Sequence, residues 1–121
     1  MERKPHAQLE AWKSAMDLVE EIYRTTENFP RHELFGLVSQ MRRSAVSIPS
    51  NIAEGAARSS RKELLNFLSM ARGSLSELDT QQEIAIRVGL MPPNQQLSNL
   101  LDQTSRLMTG LYKKLRSTIE P

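Results

Sequence analysis

Residues 34–52 read Leu-Phe-Gly-Leu-Val-Ser-Gln-Met-Arg-Arg-Ser-Ala-Val-Ser-Ile-Pro-Ser-Asn-Ile. Leu34, Val38, Met41, Ala45, Ile48 and Ile52 step by four and three in alternation. A strand repeats every two residues, so this spacing places the six on one face of an α-helix. Four-three stepping also keeps an apolar stripe turned toward a nearly parallel neighbour, the arrangement of helix bundles. Pro49 sits inside the pattern. It lacks a backbone N–H and crowds the carbonyl of Ala45, so a kink is expected there. The helix is predicted over about residues 32–57, with Arg58-Ser59-Ser60 as the break that follows.

Three further segments flank this one. Upstream, Leu9, Trp12, Met16, Val19 and Tyr23 form a stripe widened by Leu18 and Ile22, predicting a helix over about 7–28. Phe29-Pro30 ends it, because the residue before a proline is pushed out of the helical region. Downstream, Ser60-Arg61-Lys62-Glu63 has the form of a capping box. It opens a helix over about 61–88 with Leu64, Leu68, Ala71, Leu75 and Leu78, continued by Ile84, Ala85 and Val88. Gly89 suits its C-terminal stop. Met91-Pro92-Pro93-Asn94 reads as a loop. A fourth helix over about 94–118 carries Leu97, Leu101, Thr104, Met108, Leu111 and Leu115. Short connections favour antiparallel neighbours. The expected fold is therefore all-α, an antiparallel up-and-down four-helix bundle occupying residues 1–121 as a single domain.

Composition narrows the function. The chain has no cysteine, which excludes disulfides and thiolate metal sites. No apolar run reaches signal-peptide or membrane-span length, so a soluble, cytoplasmic protein without membrane association is expected. The formal net charge is only +2, but its distribution is uneven. Residues 30–62 carry 6 basic and 2 acidic groups and residues 92–121 carry 4 and 2, while 1–29 and 63–91 are each net −2. Clustered charge steers an anionic partner even where the total is small.

No catalytic constellation is visible. His6 and His32 stand apart, without Glu-x-x-His or His-x-x-His spacing, and no glycine-rich phosphate loop occurs. The chain is therefore expected not to be an enzyme and to hold neither metal nor cofactor. Beside the apolar stripe of the second helix runs a polar one, Arg43, Ser47, Asn51, Glu54 and Arg58. In one reading, Asn51 and Glu54 satisfy arginines or backbone groups freed by Pro49 at an interhelical or intersubunit seam. In the other, the arginines face an anion. Ser69, Gly73, Ser76 and Thr80 form a small-residue face on the third helix. A helix-internal glycine costs about 1 kcal/mol relative to alanine, and close approach of another helix, from the same chain or another subunit, is the usual reason for one.

The run Gln40-Met41-Arg42-Arg43-Ser44-Ala45-Val46-Ser47-Ile48-Pro49-Ser50-Asn51-Ile52-Ala53-Glu54-Gly55 resembles the signature of the four helix bundle, or 23S rRNA-intervening-sequence, protein family. Phe67-Leu68 and Ala71-Arg72-Gly73-Ser74-Leu75-Ser76-Glu77-Leu78 are similar to its second motif, and Leu9-Glu10-Ala11-Trp12 matches more loosely. The resemblance implies a bacterial protein whose relatives assemble into homopentamers. Some relatives are encoded within insertions in 23S rRNA genes. The accessory protein of diversity-generating retroelements, which binds a reverse transcriptase and nucleic acid, is similar too.

These readings lead to a homo-oligomeric binding protein whose partner is RNA or a nucleic-acid-processing protein. Its candidate contacts are Arg42, Arg43, Arg58, Arg61, Lys62, Arg72, Lys113, Lys114 and Arg116. Ser47, Pro49, Asn51, Glu54, Gly55 and Gly73 are the structural or interface candidates. The alternative is a protein–protein interaction scaffold without nucleic-acid binding.

Overall fold

The computed structural model describes His6 and residues 9–117. The described residues form four α-helices: α1 (Glu10–Thr26), α2 (Ser39–Ala56), α3 (Arg61–Arg87) and α4 (Gln95–Ser117). No strand occurs among the described residues. A 3-10 turn (Arg31–Glu33) and a π-helical turn (Leu34–Val38) lead from α1 into α2.

Cross-helix pairs fix the directions. Ser44 meets Glu77, Ser47 meets Ser74, and Gly55 faces Phe67, so positions rise along α2 as they fall along α3. Ser14 meets Thr104, while Glu21 and Arg24 lie beside Gln96, so α1 and α4 also run oppositely. Arg42, early in α2, reaches Thr26 at the end of α1. The start of α1, the end of α2, the start of α3 and the end of α4 thus share one end of the bundle.

The α2 stripe enters the core as its spacing predicts: Met41, Ala45, Ile48 and Ile52 are fully buried. They meet Leu68 and Leu78 of α3, Leu97 and Met108 of α4, and Leu18 and Ile22 of α1 in one cluster. Each large aliphatic side chain contributes about 1.5–3 kcal/mol relative to exposure. On α1 the buried line differs from the predicted stripe. It runs through Ala11, Ala15, Leu18 and Ile22, while Met16 and Tyr23 are exposed. Small alanines let α1 approach its neighbours closely, and the bulky residues flank the seam. Leu34 and Val88, expected to extend the apolar stripes, are exposed as well.

The termini of the helices follow local chemistry. Ser60 Oγ accepts from the Glu63 amide at 3.1 Å, and its hydroxyl lies 3.3 Å from Glu63 Oε1. Asn94 Oδ1 caps α4 by accepting from the Leu97 amide at 3.1 Å. At the end of α3, Gly89 takes φ +82°. The Leu90 amide donates to the Ala85 carbonyl and the Gly89 amide to Ile86, the 6→1 and 5→2 bonds of a Schellman stop. α2 is unbroken through Pro49. Helical torsion is lost upstream, at Gly36 (φ −109°, ψ −114°), so the segment predicted as helix from residue 32 becomes regular only at Ser39. Among the described residues, no helix is long and apolar enough to cross a membrane.

Candidate nucleic-acid interface

The polar stripe of α2 turns mostly toward its own helix and α3. Pro49 is buried and donates nothing to Ala45. Around this gap the side chains bond locally. The Ser47 hydroxyl donates to the Ser44 carbonyl at 2.9 Å, and Asn51 Nδ2 donates to the Ser47 carbonyl at 2.8 Å. Ser47 also shares a 2.6 Å hydrogen bond with Ser74, and Ser44 donates to Glu77 Oε1 at 2.7 Å. Glu54 pairs with Arg58 one turn on, at 2.8 Å. Asn51 therefore serves the backbone of its own helix, while Ser44 and Ser47 hold the α2–α3 seam. Gly55 completes it: a Cβ there would stand 2.8 Å from Phe67 Cβ.

The arginines divide. Arg42 is half-buried, with its guanidinium 4.4 Å from the centroid of the Tyr23 ring. Its Nε donates to Thr26 Oγ1 at 2.9 Å and its Nη2 reaches the Tyr23 carbonyl at 3.5 Å. A cation is thus held at the C-terminal end of α1, where the helix dipole is negative. Arg43 is exposed and has no ion pair among the described residues. Arg58 lies 3.6 Å from Glu63 as well as on Glu54, and over the Phe67 ring at 5.0 Å. Arg72 is exposed, stacked on Tyr112 at 4.9 Å, beside a polar cleft between α3 and α4 that also holds Asp79 and Asp102.

The nine basic candidates do not form one patch. Thirteen helical residues from Arg43 to Ala56, at about 1.5 Å each, place Arg58 roughly 20 Å from Arg43. Antiparallel packing instead brings Arg58, Arg61 and Lys62 to the same end as Lys113, Lys114 and Arg116. Lys62, Lys113 and Lys114 are exposed there, and Arg61 and Arg116 are engaged with neighbours. In the outer two turns at this end, the described residues supply seven basic side chains, Lys13 included, and three acidic ones, Glu10, Glu54 and Glu63. The opposite end balances five basic with five acidic.

Gly73 lies on an exposed face of α3, and a Cβ there would meet nothing within 4 Å. Among the described residues no helix makes the close approach expected for it. His6 sits 4.9 Å from the Trp12 ring, and His32 lies 3.8 Å from Glu33. Among the described residues no three His, Cys, Asp or Glu side chains are grouped to hold a metal ion.

Sequence reasoning missed one surface. Leu34 and Phe35, on the π-helical turn, border a groove with Tyr23 and Val46. The signal was available: Phe35 stands outside the four-three stepping, beside a glycine.

Residues 7–113 match the family model described as 23S rRNA-intervening sequence protein. No curated protein matches the chain.

Proposed function

We propose, from the premise that the chain belongs to the 23S rRNA-intervening sequence protein family, that it is a non-enzymatic, self-associating cytoplasmic protein that binds RNA at one end of its bundle. The observation that carries this reading is the convergence of Arg58, Arg61 and Lys62 with Lys113, Lys114 and Arg116 on one end, against a balanced opposite end. The three carboxylates there are met by Arg58 and Lys13, which leaves the lysines for phosphates. Such contacts bind backbone rather than bases, so affinity falls with salt and tolerates sequence change. Repetition of the end around an oligomer would multiply a modest field. The solvent-facing small residues of α3, Ser69, Gly73, Ser76 and Thr80, support self-association, and the family resemblance sets the expectation of a pentamer.

Filter binding with a 23S-derived RNA fragment tests the reading. Lys62→Glu combined with Lys113→Glu and Lys114→Glu should weaken binding at least about tenfold, since each lost phosphate contact also lowers the salt slope by roughly 0.7–0.9. Arg43→Glu should leave it unchanged. Absence of binding at low salt, or equal loss from both variants, removes the proposal. The scaffold alternative is favoured by Arg42, which spends its Nε and an Nη2 donor within the chain rather than on an anion. Partners that survive nuclease treatment in a pull-down would support that reading.

A further inference from the structure

Most of the bundle's large apolar side chains are buried or half-buried, and the exposed ones are not scattered evenly. Tyr23 (44% exposed), Leu34 (47%), Phe35 (93%) and Val46 (40%) share one open groove, floored by the buried Val38. Three elements build it. The end of α1 supplies Tyr23, the π-helical turn projects Leu34 and Phe35, and the first turns of α2 supply Val46. Gly36 breaks the helical torsion here (φ −109°, ψ −114°), and Phe35 beside it faces solvent. A nearly naked phenylalanine is unfavourable in water unless something covers it.

The rim of the groove says what kind of occupant fits. Its charged lining residues are Arg42 and Arg43, and no Asp or Glu lines it. Among the described residues no carboxylate lies within ion-pair distance of either guanidinium. Arg42 commits its Nε and Nη2 to Thr26 and Tyr23, which leaves further N–H donors of its fork available. Ser47 and Ser50 edge the groove with small side chains, which permit a close backbone. From Ser39 to Ser50 the α2 wall extends about 16 Å, three turns of helix.

From this geometry we infer that the groove docks an amphipathic helix of a partner protein, with apolar anchors on one stripe and carboxylates beside them. Leucine or phenylalanine at i, i+4 and i+7 would cover Phe35, Tyr23 and Val46, in the helix-in-groove mode. Glutamates on the flank would meet Arg43 and the free edge of Arg42 as charge-assisted hydrogen bonds. Single-stranded RNA is the less suitable occupant. Phe35 is the one fully open ring, one face of Tyr23 is already covered by Arg42, and Leu34, Val38 and Val46 offer no ring, so successive bases would find no run of stacking platforms.

The test uses the full chain and a fluorescein-labelled stapled peptide of about sixteen residues, with Leu at i, i+4, i+7 and i+11 and Glu on both flanks. Fluorescence anisotropy should show saturable binding. Phe35→Ser and Arg43→Glu, both at exposed positions, should each weaken it at least about tenfold while the circular dichroism melt stays put. A peptide with Lys in place of Glu should bind at least as much more weakly. Four results would overturn the inference. They are equal affinity for the Lys peptide, no change with Phe35→Ser, displacement of the peptide by oligo-uridylate, and a fall in light-scattering mass on Phe35→Ser. The last would make the groove a seam between copies of this chain.

Discussion

Replacing Gly55 by alanine adds one methyl group where α2 meets α3, and the structure gives the sign of the result. The new Cβ would lie 2.8 Å from Phe67 Cβ, 3.0 Å from Leu64 Cδ1 and 3.3 Å from the Leu64 carbonyl oxygen. The leucine methyl can rotate away, but Phe67 Cβ and the Leu64 carbonyl move only with the α3 backbone. Overpacking of this kind costs about 1–3 kcal/mol. Alanine's better helix propensity returns at most about 1 kcal/mol. Two of the three contacts are to atoms that move only with the backbone, so the overpacking cost falls in the upper half of its range, about 2–3 kcal/mol, and the net loss is about 1–2 kcal/mol. At about 2.1 cal/mol/K per residue, the 121-residue chain has an unfolding entropy of about 0.25 kcal/mol/K, so 1 kcal/mol moves Tm by about 4 °C. Gly55→Ala should therefore melt about 4–8 °C lower by scanning calorimetry. Gly110→Ala is the internal control, because its Cβ on exposed α4 would meet nothing within 4 Å. The same chemical change there should raise Tm by about 2–4 °C. A Gly55→Ala protein that melts at or above the wild type would refute the close approach of α2 and α3.

Two further outcomes follow from polar contacts. The buried Ser14 and Thr104 hydroxyls lie 2.7 Å apart, and Gln103 Nε2 donates to Ser14 at 3.1 Å. Ser14→Ala and Thr104→Val should each cost about 1–3 kcal/mol in urea unfolding, because each strands a buried partner. The double variant should fall short of their sum by at least about 0.5 kcal/mol, and simple additivity would show that the two hydroxyls are not coupled. Arg42→Ala should lower stability by about 1–2 kcal/mol through loss of its ring contact and its hydrogen bonds to Thr26 and Tyr23. Arg43→Ala should stay within about 0.5 kcal/mol of the wild type. Equal effects at the two positions would contradict the different settings of these neighbouring arginines.

The family resemblance and the helical architecture were legible early because they rest on short-range patterns. Four-three stepping, the Ser60 capping box and the glycine stop at Gly89 all act within a turn or two. The structure reproduces the stepping on α2 and α3 and the glycine stop, and of the capping box it shows Ser60 Oγ accepting from the Glu63 amide. The α1 face was misjudged because periodicity ranks a stripe by bulk, whereas the seam is built on Ala11 and Ala15, whose value is their smallness. The loop before α2 was misjudged for a related reason. Leu34 fits the step pattern, but Gly36 departs from helical torsion and turns that side chain outward.

By itself, the sequence determined four rods, their approximate ends, and the apolar stripes that α2, α3 and α4 bury. Those follow from interactions between residues three and four apart. Tertiary structure alone decided which cations stand together. Arg43 and Arg58 fall on one polar stripe of the sequence yet lie roughly 20 Å apart, while Lys62 and Lys113 are distant in sequence yet share one end. It also decided that Arg42 braces α1 and that Phe35 is bare. Charge and exposure at a surface depend on how each helix is rotated and which ends meet, and those are set by packing between elements far apart along the chain.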